Sequence, residues 1–221
     1  MKILITSGGT KVPIDDVRYI GNMSSGRYGA EIADQFNKLD HDVLYWHSKG
    51  GAIPAGLSTS VYNGRIDSAI ISYKDYNEYS DVIELVKDEK PDIIISAAAV
   101  SDYTVDKTEG KLSSDGDEII IRLKKAKKIL PEFKKVSSRS MVVGFKLLVS
   151  PTYQEVNKAV NKVLNNGADY VVYNDLTQIR KGNTTRLVFS KNQSFVEVAD
   201  AKELTDYILY EKYSRKNSNG L

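Results

Sequence analysis

Glycine and serine residues near the amino end of the chain are the first that could bind a ligand. Gly8 and Gly9 follow the apolar run Lys2–Thr6, which predicts a strand, and residues 24–26 (Ser-Ser-Gly) stand where a helix is expected to begin. Glycines at a strand's carboxyl end let the backbone approach a ligand that a Cβ would block. The first N–H groups of a helix carry a partial positive charge that favours phosphate. This spacing indicates an anion site, although a tight turn in any α/β protein would show the same pattern.

A long polar loop (residues 10–23) separates Gly9 from that helix. The usual dinucleotide-binding fingerprint turns directly from strand to helix, whereas this loop carries Asp15, Asp16, Arg18 and Asn22. Loops of this length between two elements are uncommon and are usually functional. The carboxamide of Asn22 can both donate and accept hydrogen bonds, so it is a candidate for orienting a bound group.

A second candidate follows the buried strand predicted at Asp92–Ser96. Three alanines (residues 97–99) continue that strand with small side chains, and Asp102 comes shortly after them. Open α/β sheets bind their ligands at the carboxyl ends of the strands, which makes Asp102 a candidate ligand-binding residue. The alternative is that Asp102 is an ordinary aspartate in a turn. Tyr103 and Lys107 have the spacing of the short-chain reductase pair, but the residues between them are poor helix formers.

Residues 107–124 predict a hairpin-like arm that leaves the compact domain. Asp115-Gly116 is a favoured tight-turn pair, and Glu118–Leu123 then predicts a returning strand. An arm of this kind often crosses to a partner subunit, so we expect a homodimer.

The remaining elements alternate between strands and helices, which predicts an α/β, Rossmann-like, doubly wound and mostly parallel sheet. Ser150 is a good N-cap and Pro151 a good first helical residue for the helix that Gly167 ends. We expect one domain over residues 1–213, with the arm at about 103–124 and a frayed polar tail at 214–221. The predicted helices are 25–39, 75–88, 151–167 and 201–213, and the further strands are 42–46, 69–73, 140–145, 168–176, 186–190 and 194–198.

Composition excludes several classes of protein. The 221 residues contain 31 Lys and Arg against 29 Asp and Glu, so no bulk charge attracts nucleic acid or a membrane surface. The chain has no cysteine and two histidines, which excludes thiol catalysis and disulfides and leaves no histidine-rich metal site. No apolar run approaches the length of a membrane span and no signal peptide is recognisable, so we expect a cytoplasmic protein.

Several motifs, in order along the chain, resemble those of the phosphopantothenate–cysteine ligase (phosphopantothenoylcysteine synthetase) family. The polar loop and its flanks read SGGT-x-x-PID-x-VRYI-x-N-x-SSGR-x-G, and the later matches are SAAAVSDY, VGF and ND. The resemblance runs from Lys2 to about Lys191. It implies ligation of 4′-phosphopantothenate to L-cysteine through an acyl-nucleotide intermediate, with CTP favoured over ATP, Mg²⁺ accompanying the CTP, and no flavin. The compact length suggests a free-standing bacterial type that acts as a homodimer.

The resemblance also implies roles for individual residues. Lys127 and Lys128 stand where Pro and Asp are common in the family, Ser113 where a second arm lysine is common, and Asn166 where a second phosphate-binding lysine is common. No residue is expected to bind a metal directly. The implied catalytic residues are Asn22 and Lys111; those implied for the nucleotide are Gly8, Gly9, Asp102, Lys127, Lys128, Ile129, Leu130, Phe145, Lys162 and Asn166; those implied for the acyl substrate are Ser24, Ser25, Gly26, Ala98 and Ala99.

Two other functions share these features. One is an NAD(P)-dependent reductase, and the other is a non-catalytic nucleotide-binding module. The residues after the second predicted strand, His47–Gly51, lack the acidic residue that grips the ribose of a nicotinamide cofactor, which argues against the reductase.

Overall fold

The structure, a computed structural model, describes residues 1–62, 65–192 and 194–218. Its strands are β1 (Lys2–Ser7), β2 (Lys11–Pro13), β3 (Tyr19–Gly21), β4 (Asp42–Ser48), β5 (Ser60–Tyr62), β6 (Arg65–Tyr73), β7 (Ile93–Ser96), β8 (Tyr103–Thr104), β9 (Lys124–Lys125), β10 (Met141–Leu148), β11 (Tyr170–Asp175), β12 (Arg186–Ser190) and β13 (Phe195–Val198). Its helices are α1 (Arg27–Lys38), α2 (Tyr76–Ser80), α3 (Val82–Glu89), α4 (Leu130–Val136), α5 (Tyr153–Asn165), α6 (Leu176–Arg180) and α7 (Ala201–Ser218).

Within the described residues, nine strands form one sheet in the order β13-β12-β11-β10-β7-β1-β4-β6-β5. The pairs from β11 to β6 are parallel, and the strands at both edges are antiparallel. The strand order reverses direction beside β1, since the chain moves outward to β4 on one side and to β7 on the other. The predicted mostly parallel sheet is confirmed, and its ligand-binding edge is the one where β1, β4, β7 and β10 end.

Both faces of the sheet are covered, as expected for a doubly wound fold. Alternate residues of a strand point to opposite faces: Ile3 and Ile5 of β1 join one apolar core, and Leu4 joins the other. The first core packs against α1 and α7, and the second packs against α2, α3 and α4. Both cores position β1 rigidly, so the loop that follows it starts from a fixed point.

The predicted return strand of the arm is wrong. Residues 118–123 adopt no regular structure, and the arm is closed by a two-residue ladder between β8 and β9. Ile120 is 86% exposed and Ile119 and Leu123 are about half exposed, so this apolar run has neither a partner strand nor a core to pack on within the described chain. β-propensity expresses packing against neighbours more than an intrinsic backbone preference.

Several predicted element boundaries also differ from the structure. The N-cap of α5 is Thr152, which forms a capping box with Glu155, because the N–H and hydroxyl of Ser150 are bonded to Asp175 and Thr177 instead. The helix predicted at 75–88 is divided into α2 and α3, and the strand predicted at 69–73 is the longer β6. Helix α7 continues to Ser218, five residues beyond the predicted end at 213, and residues 219–221 lie outside the described part.

Candidate active site

A cavity of about 280 Å³ lies at the carboxyl ends of β1 and β4, between the polar loop and the turn after β4. It brings together four of the residues predicted from the sequence: Gly9, Asn22, Ser24 and Ser25. The full lining is Gly9, Lys11, Tyr19, Gly21, Asn22, Met23, Ser24, Ser25, Ser48, Lys49, Gly50 and Gly51.

The two glycines after β1 are required by the protein's own packing. A Cβ on Gly9 would lie 2.2 Å from the carbonyl oxygen of Asn22, and one on Gly8 would lie 2.0 Å from Oγ of Ser48. Gly8 also has φ +84°, which L side chains rarely adopt. The sequence correctly indicates that no side chain fits here, but the atoms that approach so closely belong to the polar loop and to β4.

Asn22 is fixed at the root of the polar loop. Its Nδ2 donates a 2.8 Å hydrogen bond to the carbonyl of Ala99, which also accepts from the N–H of Thr10. The N–H of Ala99 in turn donates to the carbonyl of Gly8. The side-chain amide of Asn22 therefore connects the polar loop after β1 to the turn after β7. No hydrogen bond within the described residues involves Oδ1 of Asn22, so this oxygen is available to a substrate.

The start of α1 forms another wall of the cavity. Gly26, the N-cap of α1, has φ +75° and no side chain to cap the helix. The N–H of Arg27 donates a long bond of 3.4 Å to Oγ of Ser25, and the N–H groups that follow keep their capacity to bind an anion. Below it, Ser7 Oγ donates to the carbonyl of Gly26, and the hydroxyl of Tyr45 donates to the carbonyl of Ala52. Burial raises the pKa of Tyr45 to about 12, so this hydroxyl remains a donor at physiological pH.

The charge of the cavity lining is entirely positive. Lys11 and Lys49 contribute to it, and no aspartate or glutamate does. The Nζ of Lys11 lies 4.7 Å from the centre of the Tyr19 ring, a cation–π distance that holds the ammonium beside the cavity. The sequence analysis missed both lysines, because a single lysine in a loop carries no local pattern.

A second group of predicted residues meets beside the arm. Asp102 forms an ion pair with Lys128, and the carbonyl of Asp102 accepts a 2.9 Å hydrogen bond from the N–H of Ala126. Lys127 pairs with Glu132, and its carbonyl accepts from the hydroxyl of Tyr76. Asp102 and Lys128, which the family resemblance implies as nucleotide-binding residues, are thus in direct contact with each other. Each of the two lysines has a carboxylate partner.

The two residues that follow Lys128 pack toward the protein core. Ile129 is buried, and Leu130 begins α4 and packs against the core. Only their backbone groups are therefore available to a ligand.

Phe145 lies in an aromatic group that the sequence analysis did not foresee. Its ring meets that of Tyr28 edge to face, with centroids 6.2 Å apart, and the guanidinium of Arg186 stacks 3.5 Å from the centre of the Tyr28 ring. The Nε of Arg186 is buried without a hydrogen-bond partner among the described residues. Burial raises the pKa of Tyr28 to about 12, so the ring is neutral.

Lys162 and Asn166 lie on the last turn and at the C-cap of α5. A Cβ on Gly144 would lie 2.7 Å from Val163, so this end of α5 packs directly against β10 one residue before Phe145. Lys162 is exposed. Phe145 instead packs against the core with α1 and α7, whereas Val163 and Leu164 belong to a separate core. Phe145 and this end of α5 therefore lie on opposite faces of the sheet.

Lys111 does not line the cavity. Its neighbours, Gly110 and Leu112, are bonded to the far end of the β2–β3 hairpin, at Asp16 and Asp15. Asn22 is four residue steps beyond Arg18, the last residue of that end, which corresponds to roughly 13 Å at about 3.3 Å per residue. Asn22 thus lies at the root of the hairpin, whereas Lys111 lies on the arm beside the hairpin's tip.

The reductase pair does not form. Tyr103 lies in β8, on no helix, and Lys107 is paired with Asp16. The short-chain reductase mechanism requires the two side chains one helical turn apart, so the structure argues against that alternative.

The described residues contain no group of three or more His, Cys, Asp or Glu side chains that could hold a metal ion. None of their helices combines the length and the apolar character needed to cross a membrane.

The sequence profile of the DNA/pantothenate metabolism flavoprotein C-terminal domain matches residues 1–212. The chain belongs to this family. Among curated relatives, the coenzyme A biosynthesis bifunctional protein CoaBC of Methanocaldococcus jannaschii is 34% identical over 178 residues, which are 80% of this chain and 41% of that protein. This chain thus spans about two fifths of the relative's length.

Two solved structures share the fold. The DNA/pantothenate metabolism flavoprotein of Streptococcus pneumoniae aligns with a TM-score of 0.82 at 26% identity, over 97% of this chain and 99% of that one. A variant of Cab2 in complex with phosphopantothenate-cysteine aligns with a TM-score of 0.75 at 22% identity, over 98% of this chain and 86% of that one. The family resemblance found in the sequence motifs and the predicted α/β fold are both confirmed.

Proposed function

We propose that this chain joins 4′-phosphopantothenate to L-cysteine in coenzyme A biosynthesis, using CTP and releasing pyrophosphate. The observation that carries the proposal is the anchored carboxamide of Asn22 at a cavity whose charged side chains are both lysines. Membership of the family and the phosphopantothenate-cysteine bound to Cab2 support the same substrates.

The chemical difficulty of this reaction is that a carboxylate is a poor acyl donor. In the proposed first step, a carboxylate oxygen of phosphopantothenate attacks the α-phosphorus of CTP, and the bond to pyrophosphate breaks. In the second step, the amine of cysteine attacks the acyl carbon, the amide forms, and CMP leaves with the bonding electrons while the amine loses a proton to solvent. Negative charge develops on phosphate and acyl oxygens, so the site needs fixed donors and cations more than a general base.

The residues of the cavity match that need. The N-terminus of α1 with Ser24 and Ser25, together with Lys11 and Lys49, would hold an anionic phosphate group. Asn22 would orient the acyl group through the part of its carboxamide that Ala99 does not occupy.

Two separate groups, one around Asp102 and one around Phe145, would bind the nucleotide. Asp102 would contact the ribose through the carboxylate that Lys128 now pairs with, and Phe145 would pack on the base. Lys162 would meet the phosphates with its exposed ammonium. CTP, rather than ATP, is the nucleotide we propose.

Mg²⁺ would enter with the triphosphate. The described residues form no group of three or more His, Cys, Asp or Glu side chains that could hold it, and we propose that phosphate oxygens and water would supply most of its coordination. No step above is assigned to the ion.

We also propose that the functional unit is a homodimer in which the arm meets the partner. The exposed Ile119, Ile120 and Leu123 support this, because an apolar run of this kind on a projecting segment is typical of an interaction site. Lys111 would neutralise charge on the reacting groups, and because it lies away from its own Asn22, we expect it to do so across the dimer.

The deciding experiment measures pyrophosphate release from CTP by the purified chain. We expect release only when phosphopantothenate and cysteine are both present, and phosphopantothenoylcysteine as the product. Binding of CTP without turnover would indicate a non-catalytic module, and tight NADPH binding without ligation would indicate a reductase; either result would overturn the proposal. Parallel reactions with ATP test the choice of nucleotide.

A further inference from the structure

The tip of the β2–β3 hairpin (residues 14–18) is bonded to the arm on both sides of Lys111. The N–H of Gly110 donates to Asp16 Oδ2 at 2.7 Å, and its carbonyl accepts from the N–H of Asp16 at 2.9 Å. The N–H of Leu112 donates to Asp15 Oδ2 at 3.1 Å, and its carbonyl accepts from Nη2 of Arg18 at 2.8 Å. All four backbone groups of the residues next to Lys111 are therefore satisfied by the hairpin tip.

Asp15 is the centre of this connection. It is 2% exposed although it lies in a surface turn, and its Oδ1 accepts from the N–H groups of Val17 and Arg18 at 2.8 and 2.6 Å. Its Oδ2 accepts from Nε and Nη2 of Arg18 as well as from Leu112. The Arg18 guanidinium holds the pKa of this carboxyl well below its usual range, so it stays ionised.

The hydrogen bonds of Asp15 do more than attach the arm to the hairpin. A buried carboxylate that loses its partners is costly, so Asp15 strongly favours the one backbone geometry that satisfies it. That geometry includes the orientation of residues 110–112, and therefore the direction in which the Cα–Cβ bond of Lys111 points. The opposite end of the same hairpin carries Asn22, which Ala99 fixes to the sheet.

We propose that Asp15 is a positioning residue for Lys111, and that it makes the hairpin and the base of the arm one rigid unit. This proposal rests on the proposed function in assigning Lys111 to the reaction, but the rigid connection itself is independent of the chemistry. Asp16 has a secondary part in the same unit, because it pairs with Lys107 and bonds Gly110.

The first test is structural and requires no activity. Asp15→Asn keeps the size of the side chain but removes the charge that Arg18 and Leu112 bind. We expect hydrogen exchange at the Gly110 and Leu112 amides to quicken about tenfold or more, with β1 and β7 unaffected. Asp16→Asn weakens the neighbouring bond between the Asp16 carboxylate and the N–H of Gly110. Because the Asp16 side chain is half exposed, this variant remains informative even if Asp15→Asn folds poorly. Asp106→Asn is the matched control, since Asp106 pairs with Lys124 at the other side of the arm and is exposed.

The second test is a double-mutant cycle in the ligase assay. A misplacement of about 1 Å can cost on the order of a hundredfold in rate, so we expect Asp15→Asn to lower kcat about ten- to a hundredfold with little change in KM. In a Lys111→Ala background the same change should have almost no further effect, because Asp15 acts through Lys111. Multiplicative effects of the two substitutions, or unchanged exchange at Gly110 and Leu112 in both single variants, would overturn the proposal. If the wild type shows no ligase activity, the proposed function fails and the exchange measurements still decide whether the rigid unit exists.

Discussion

The side-chain amide of Asn22 donates a hydrogen bond to the backbone carbonyl of Ala99, 77 residues further along the chain, at 2.8 Å. This bond joins the polar loop after β1 to the turn after β7, and these two strands are neighbours in the sheet. Asn22 is itself exposed. A side chain that is exposed and yet held in one orientation is suited to binding a substrate with little loss of entropy.

Replacing Asn22 by Ala is therefore expected to affect the reaction far more than the fold. The variant should unfold at nearly the wild-type temperature, because an exposed hydrogen bond contributes only about 1 kcal/mol. Phosphopantothenoylcysteine formation should fall by orders of magnitude, since the group that orients the acyl substrate is gone. Asn183→Ala, at an exposed asparagine in the loop before β12, is the control. Near-normal turnover of the Asn22 variant would remove this residue from the mechanism.

Much of this site could be predicted from the sequence, because short apolar runs and glycines locate the strand ends. Once β1 and β7 are recognised as parallel neighbours, Gly9 and Ala99 must come close, and they do form a bridge. The contacts of Asp15 with Leu112 and of Tyr28 with Arg186 span long stretches of chain. Local patterns in the sequence contain no information about such long-range contacts, so these contacts could not be predicted.

The failure at residues 118–123 has a different physical cause. The run of isoleucines there has the composition of a strand, but a strand needs a pairing edge and a buried face. Neither is present within the described chain. The base of the arm is formed by β8 and β9, whereas the conformation between these strands depends on what the arm packs against.

The two lysines of the cavity are expected to bind phosphate groups directly. Lys11→Met and Lys49→Met should each weaken the binding of inorganic tripolyphosphate about three- to fivefold, as the loss of an exposed ion pair of up to about 1 kcal/mol implies. The affinity of the wild type should fall with added salt and that of the double variant should fall less. Isothermal titration calorimetry measures both effects, with Lys38→Met, at the other end of α1, as the control. Equal affinities for all three single variants would show that the anion binds elsewhere.

Tyr28 is expected to hold Phe145 in position for the nucleotide. Tyr28→Ala removes the edge-to-face partner of Phe145 and the ring on which Arg186 stacks, interactions of about 0.5–1.5 kcal/mol each. The KM for CTP should therefore rise about five- to twentyfold. Tyr28→Phe retains the ring and should stay within about twofold of the wild type, since only the hydroxyl bond to Asp200 is lost. A large rise in the KM for CTP in both variants would show that the hydroxyl of Tyr28, and not its ring, is required.

Asp169 is expected to be the most stabilising carboxylate at the other edge of the sheet. Its side chain is 8% exposed and pairs with Lys134 and Arg215, and it accepts from the N–H of Val142. Breaking a buried pair by removing one partner costs about 3–5 kcal/mol. Urea unfolding of Asp169→Asn should show a loss of about that size, against about 0.5 kcal/mol for Asp206→Asn, whose pair with Lys202 is exposed. A loss below about 1 kcal/mol would show that the cluster is not a stabilising one.

The same carboxylate predicts how stability depends on pH. Burial alone would raise the pKa of Asp169, but the hydrogen bonds from Lys134 and Val142 lower it overall, below its ordinary value of 3.8. A group whose pKa is lowered on folding stabilises the protein above its unfolded pKa, and that stabilisation is lost as the pH falls through the folded pKa. The difference in unfolding free energy between wild type and Asp169→Asn should therefore be constant from pH 7 to about pH 5 and should shrink below pH 4. A difference that grows on acidification would contradict the sign of the shift.

The apolar residues of the arm are expected to form part of a dimer interface. Ile120 is 86% exposed, and burying an isoleucine against a partner stabilises by about 2 kcal/mol. Ile120→Asp should weaken dimerisation about thirtyfold or more, and sedimentation equilibrium at micromolar concentration should detect the shift to monomer. Tyr210→Asp, at a position on α7 that is 68% exposed, is the control and should remain dimeric. A wild-type chain that sediments as a monomer over the whole concentration range would contradict the dimer, and the arm's isoleucines would then have to be covered by substrate or by another protein.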